Sequence, residues 1–391
     1  NDRYWLTQVA GAKSFDWKIM PDLHQLEFEQ YDTVSPLLRD LDFHLAIEAV
    51  LRGIVPGEVY VDDPAAPRSA LVRVENRFYL GGSPQNGGFN QGLRGLFIEE
   101  IYPQARASGE LMFVLYYPSP GWEARIIDLL GDKHPMRDMR QYYACSEPAV
   151  DWRSVIEPGF VLRPVDRELL ESDRLTNIDE LRDEVRSESP TIEHYLSHRF
   201  GFCLLDEDVI TGWCLSEYNT ADRCEVGIET VDGYRRRGVA TVTAAALVEH
   251  AIAHGIRQVG WHCWESNVAS AATALSAGFE KIKDYPVLFA WFDPVANLAV
   301  NGNMVFQDER YVEALGWYER AIDAGEAPGW AYWNAASASA MAGRTEAALD
   351  YLRQALEKGV GDLESARSSK YLSSLHDTGG WRALVEELDE A

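Results

Sequence analysis

The stretch Glu225-Val226-Gly227-Ile228-Glu229-Thr230-Val231-Asp232-Gly233-Tyr234-Arg235-Arg236-Arg237-Gly238-Val239-Ala240-Thr241, running on to Gly255, decides how this chain is read. It reads as a β-strand, a tight basic turn holding a glycine, and a helix with an alanine-rich start that stops at His254-Gly255. A helix start presents unpaired backbone N–H groups and the positive end of the helix dipole. A strand that delivers an Arg-Arg-Arg-Gly turn to that point therefore builds an anion site suited to phosphate or pyrophosphate. The competing reading is a solvated arginine-rich turn in an ordinary α/β domain.

The segment Arg235-x-x-Gly238-x-Ala240 between a strand and a helix resembles the acetyl-CoA-binding signature of the GCN5-related N-acetyltransferases, the GNAT family. Further features fall in that family's order: a strand over 258–264, then Asn267-x-x-Ser270, then Gly278-Phe279. Together with Gly201-Phe202-Cys203, Trp213-Cys214 and Trp261-x-Cys263, they make residues 22–293 similar to the zwittermicin A resistance type of GNAT acetyltransferase. The resemblance does not reach the C-terminal stretch.

At 391 residues, with 46% hydrophobic and 11% aromatic side chains, the chain is long enough for two or three domains with sizeable cores. Its 62 acidic against 36 basic residues give a formal charge of −26, which repels nucleic acids and anionic membrane surfaces and attracts cationic small molecules. The five cysteines are odd in number and lack CxxC spacing, so they read as reduced, buried thiols of a cytoplasmic protein, with neither a disulfide frame nor a metal site. No apolar run approaches the ~20 residues of a membrane span. The N-terminal residues lack the basic-then-apolar order of a leader peptide.

Taken in order, residues 1–150 carry strand-like runs at 57–62, 69–74, 77–82, 111–117 and 140–145, with helical stretches at 41–52, 92–107 and 121–130. That succession matches the order of a GNAT fold. The turn over 81–90 is rich in Gly and Asn but has no arginine cluster, so this half reads as a degenerate copy that binds no cofactor. The turn itself is either a phosphate cradle or a flexible surface loop. Residues 151–293 form the second α/β unit, with a charged helical region over 167–188, a helix over 192–200, and a closing hairpin over 279–292 that turns at Asp284-Tyr285-Pro286. Residues 294–391 are helical and alanine-rich. Ala314, Tyr318 and Ala321 recur as Ala348, Leu352 and Ala355, a spacing of 34, which is the tetratricopeptide (TPR) period. Chance periodicity is the alternative. The expected architecture is thus α/β (α+β): a tandem GNAT fold with a degenerate first half and a cofactor-binding second half, followed by a TPR-like helical domain.

The resemblance implies acetyl-CoA as cofactor, its pyrophosphate held by Arg235, Arg236, Arg237, Gly238, Val239, Ala240 and Thr241. It also implies that the pantetheine arm pairs like an added strand with Ile228, Glu229 and Thr230, and meets Asn267 and Ser270 from the other side. Glu225 and Glu229 alternate onto one strand face, and either is a candidate to take the amine proton or to recognise a cationic acceptor. The family's usual tyrosine acid is replaced by Ala274, which leaves Tyr285, Ser270 or water for that role, or no dedicated acid at all, with Tyr285 then a packed hairpin tyrosine. His262 and Cys263 point to opposite faces, His262 as pocket wall or base and Cys263 as packing.

Two functions fit. One is an acetyl-CoA-dependent N-acetyltransferase acting on a small, cationic amine, either a metabolite or an antibiotic. The other is a catalytically idle acyl-CoA sensor that reports to a protein partner, or to a second copy, through its TPR-like face.

Overall fold

The computed structural model describes residues 23–189 and 191–389. Residues 1–22, whose order was read as unlike a leader peptide, lie outside it. In chain order the strands are β1 (His24–Gln25), β2 (Glu58–Val61), β3 (Ser69–Val74), β4 (Arg77–Gly82), β5 (Met112–Tyr116), β6 (Met136–Cys145), β7 (Phe160–Pro164), β8 (Gly201–Asp206), β9 (Val209–Glu217), β10 (Arg223–Thr230), β11 (Gln258–Trp264) and β12 (Glu280–Trp291). They pair into one sheet in the order β1-β2-β3-β4-β5-β12-β6-β11-β10-β9-β8-β7.

The centre of that order is a reciprocal exchange. Strand β6, the last of the first half, lies between β11 and β12, while β12, the last of the second half, lies between β5 and β6. The expected boundary near 150 falls in the connection after β6, yet strand pairing crosses it in both directions. Each half supplies a central strand of the other.

Strand β12 also corrects the hairpin expected over 279–292. Asp284 and Pro286 read as turn residues, but the chain runs straight through them, with one register shift between Lys281 and Lys283. Pairing with β5 begins at Val287, so Pro286 stands where β12 has a neighbour on one side, a place that tolerates a residue without an N–H. The helical region expected over 167–188 is likewise broken into Arg167–Leu170 and Ile178–Glu188. Thr176 bridges to Val209 between them, and Asn177 restarts the helix from the left-handed region at φ 65°.

Apolar helix faces cover the sheet. The helix Val239–Ala253 lays Ala244, Leu247, Val248 and Ala251 on Val226, Val259 and Trp261, all buried in one cluster. After β12 the chain forms two helix hairpins, Pro294–Gln307 with Tyr311–Ala324 and Gly329–Met341 with Thr345–Glu357, then the shorter helices Leu363–Ser368 and Gly379–Asp389. Ala314, Tyr318 and Ala321, and their counterparts Ala348, Leu352 and Ala355, are fully buried. The first hairpin docks on the first half and on the end of β12: Asn297 Nδ2 donates to the Lys133 carbonyl (2.7 Å), Asn301 Nδ2 donates to the His134 carbonyl (3.2 Å), and Asn297 Oδ1 accepts from the Trp291 N–H of β12 (2.8 Å). Among the described residues, no helix is long and apolar enough to cross a membrane.

Candidate active site

Strand β10 pairs with β11 in parallel only from Arg223 to Glu225, and beyond Glu225 it continues to Thr230 paired with β9 alone. Strand β11 meanwhile follows β6 as far as Trp264. The two strands therefore diverge after Glu225, which leaves the β11-facing edge of 226–230 without a strand partner. Such an edge accepts an extended, amide-bearing chain as an added strand.

The divergent strand leads to the anion turn. Gly238 precedes the helix Val239–Ala253 at φ 77°, and no side chain caps the helix start, so its first N–H groups are not taken up by a cap. A Cβ at Gly238 would meet nothing within 4 Å, so glycine is needed there for its backbone conformation rather than for space. The three arginines differ. Arg235 lies 2.7 Å from Asp232, and Arg237 makes two contacts with Glu157 (3.0 and 3.1 Å) while stacking over Phe160 and Tyr234. Arg236 is exposed and forms no ion pair among the described residues. Asn267 caps the helix Val268–Ser276 by accepting from the Ser270 N–H, and Ser270 Oγ accepts from Trp261 Nε1 at 3.0 Å.

The first half repeats this geometry in a filled form. Strands β4 and β5 pair in parallel over three positions, from Arg77 to Tyr79, and then diverge. The cleft is occupied by Trp122, fully buried, whose Nε1 donates to the Gly82 carbonyl at 3.0 Å. The turn expected over 81–90 is shorter, since β4 ends at Gly82 and the next helix already starts at Gly87; there the Asn86 side chain accepts from the Phe89 N–H to cap the helix and donates to Asp62 at 2.7 Å. A capped helix start beside a carboxylate disfavours anions.

At the apex of the β10/β11 divergence lies a cavity of about 260 Å³ lined by both halves. Glu225 is buried there. Its Oε1 accepts from the Leu45 N–H at 2.6 Å and lies 3.4 Å from His262 Nε2. His262 Nδ1 is 2.8 Å from Tyr285 Oη, so with Tyr285 as donor the other ring nitrogen carries the hydrogen that faces Glu225. Burial pushes the Glu225 carboxyl up, but the His262 ring, the Leu45 N–H and Arg77 outweigh it and hold the group below the ordinary glutamate value. Burial, opposed by Arg140, pushes the Tyr285 phenol well above its usual range. His44 stacks on His262 with centroids 5.0 Å apart, and burial, followed by the charges of His262, Arg140 and Lys283, drives it well below the ordinary histidine value.

Of the residues singled out in the sequence, the cavity thus joins Glu225 to Tyr285 through His262, and Ile228, Asn267 and Ser270 also line it. Glu229 is not brought there. It is exposed at the outer end of β10, 3.9 Å from Arg235. Gly227 allows a close approach: a Cβ there would come within 2.1 Å of Glu217 Oε1, and Glu217 lies along the same wall. Cys263 is buried in the apolar cluster beneath the helix Val239–Ala253 and also touches the cavity wall, and burial raises its thiol. Ala274 is fully buried in that cluster, away from the cavity. Sequence reasoning missed His44, Tyr116 and Arg140. No local pattern marks them; Tyr116 and Arg140 arrive because the exchange sets β5 and β6 beside β12 and β11, with Arg140 opposite both Trp264 and Tyr285, and His44 arrives at the start of the helix Leu45–Leu51.

Comparison with known proteins identifies the family. A family model described as GNAT acetyltransferase matches residues 35–288. The chain is 24% identical over 273 residues, 69% of its own length and 100% of the other's, to the uncharacterised N-acetyltransferase YdfB of Bacillus subtilis (strain 168). Among solved structures it is similar in fold to a GCN5-related N-acetyltransferase-like protein from Streptococcus suis 89/1591, with a TM-score of 0.50 and 22% identity, covering 67% of this chain and 98% of that one. A tandem GNAT protein from the clavulanic acid biosynthesis pathway aligns at a TM-score of 0.46 and 13% identity, over 70% of this chain and 99% of that one. Because the family model spans well over half of the 391 residues, and its span runs through both halves up to Leu288 in β12, the chain belongs to the GNAT acetyltransferases.

Proposed function

We propose that this N-acetyltransferase uses acetyl-CoA to acetylate a primary amine of a small molecule, at the cavity where β10 parts from β11. The observation that carries this reading is the divergence itself, an unpaired strand edge running from a buried carboxylate to an uncapped helix start. The residues present fit the cofactor. Backbone of Ile228, Glu229 and Thr230 offers an edge for its amide-bearing arm, with Asn267 and Ser270 facing it. The N–H groups of Val239, Ala240 and Thr241, after Gly238, suit its pyrophosphate, with Arg236 free to move to it and Arg235 and Arg237 framing the turn. When bound, acetyl-CoA supplies an acetyl group activated as a thioester.

The chain's own residues move protons. A proton leaving the acceptor nitrogen is taken at Tyr285 Oη as the phenolic hydrogen passes to His262 Nδ1, and Glu225 stabilises the imidazolium so formed. The same path run in reverse releases a proton at Tyr285 Oη and resets the site. Glu225 is suited to this supporting role because it is ionised and buried, whereas Glu229 sits in solvent at the strand end. An idle sensor is disfavoured, since a sensor needs no connected Glu225–His262–Tyr285 path.

The −26 charge draws amines toward the protein, and the sequence resemblance to the zwittermicin A resistance type is a reason to try amine-bearing antibiotics as acceptors. The 34-residue recurrence of buried positions in the helical region supports a TPR-like reading, with its outer face open to a protein partner or a second copy. The test is thiol release from acetyl-CoA with a panel of primary amines, alongside calorimetry. Binding of acetyl-CoA with no thiol release from any amine would overturn the enzymatic reading and restore the sensor.

A further inference from the structure

The cavity wall is bipolar. At the β10 side stand Glu225 and Glu217, with Arg77 beside them and bonded to Tyr218 Oη (2.7 Å); Arg140 reaches in from β6, four positions farther along β11, since Glu225 pairs with Gly260 and Arg140 with Trp264. Four residues of strand separate the two backbones by about 13 Å. Arg140 lies over the Trp264 ring at 4.9 Å, and its Nη1 donates to Tyr116 Oη at 2.8 Å. Its Nε is shut off from water without a hydrogen-bond partner, and the side chain forms no ion pair among the described residues. In a chain with 62 acidic residues, a guanidinium facing a cavity with no carboxylate of its own is conspicuous, because a desolvated charge is costly unless it is paired. Its flat face is fixed by Trp264 and one edge by Tyr116, which leaves the Nε and Nη2 edge in the fork geometry that matches a carboxylate.

Resting on the proposed acetyl transfer at this cavity, we infer that the acceptor is an amino-carboxylate, its amine at Tyr285 and the Glu225 side and its carboxylate on Arg140. Tyr285 pairs with Arg140 across β12 and β6 and faces Glu225 through His262, and all four line the one cavity, so one small molecule can bridge the two ends. An adjoining cavity of about 320 Å³ shares His44, Tyr116 and Tyr285 with the first and gives the acceptor's side chain room on the side away from β10. The overall negative charge thus governs approach, while the wall selects a zwitterion.

The experiment compares matched probes in thiol release from acetyl-CoA: a panel of free amino acids, ω-amino acids included, their methyl esters, and the corresponding decarboxylated amines. In wild type the free acids are expected to exceed their esters and amines in kcat/KM by about 10- to 100-fold, the loss that follows removal of a charge-assisted pair. In Arg140→Gln that ratio falls to near one through KM, and Arg140→Lys restores part of it. Acetyl-CoA affinity by calorimetry reports whether each variant is folded. Esters or amines turned over as well as the acids by wild type, or a ratio that persists in Arg140→Gln, would overturn the inference while leaving the acetyltransferase reading intact. The wild-type comparison stands even if the variant does not fold. Thiol release from none of the amines would instead remove the reading on which it rests.

Discussion

Glu225 is the residue on which the proton path depends. Replacing it with glutamine keeps its shape and its acceptance from Leu45 but removes the charge that stabilises a protonated His262, so turnover should fall by roughly 10²- to 10⁴-fold with little change in acetyl-CoA affinity. Raising pH should partly rescue the variant, because more of the acceptor amine is then already neutral. Glu229→Gln, at the exposed strand end, should stay within a few-fold of wild type; the reverse pattern in steady-state kinetics would exchange the two roles. His44 gives a stability prediction. Its folded pKa lies well below the 6.5 of the free side chain, so the unfolded chain binds the extra proton first. The contribution of its neutral form is complete above about pH 6.5 and declines as pH falls from there toward the folded value. The urea midpoint should therefore drop between pH 7.5 and 5.5, and drop less in His44→Gln. Glu225 was legible as a candidate because a carboxylate on the strand before a basic turn is a local pattern. His44 and Arg140 were not, because their importance comes from elements more than a hundred residues away in the chain.

The strand, turn and helix from Arg223 to Ala253 form the element that was readable in advance, since each part carries its own signal: alternation, arginines with glycine, and an alanine-rich run. Gly238→Glu should abolish acetyl-CoA binding while circular dichroism stays native. The site is open to a side chain, but φ 77° disfavours one and the new carboxylate would stand at an anion site. The counterpart element in the first half is equally local but carries the opposite message. Calorimetry should find one acetyl-CoA per chain, because Trp122 fills the β4/β5 cleft and Asn86 caps the helix beside Asp62. Trp122→Ala should destabilise by about 3–5 kcal/mol and still bind only one equivalent, since the helix start behind the emptied cleft stays capped by Asn86 beside Asp62. Strand β12 was misread for a similar physical reason. Asp284 and Pro286 are turn formers by intrinsic preference, and only the absence of a β5 neighbour before Val287 lets them sit in a strand.

At the scale of the molecule, the exchange of β6 and β12 makes the two halves one folding unit. The sequence shows two similar successions of elements, and nothing local in it says that each lends a strand to the other. A fragment of residues 151–391 lacks β6, so it exposes facing edges of β11 and β12 and should aggregate; co-expressed with residues 1–150 it should recover a soluble 1:1 complex. A monomeric, cooperatively unfolding 151–391 fragment on size exclusion and urea titration would show that the exchange is dispensable.

The strand exchange also sets a clock during synthesis. When β6 leaves the ribosome, one of its two neighbours, β11, lies more than a hundred residues downstream in the message and is still untranslated, and β5 waits for a partner that ends at Trp291. At about 5–20 residues per second, the gap between the end of β6 and the end of β12 lasts roughly 7–30 s. For that interval the nascent first half carries the open edges of β5 and β6 and half of an unfinished cavity, a state in which holding chaperones compete with neighbouring nascent chains for the same strands.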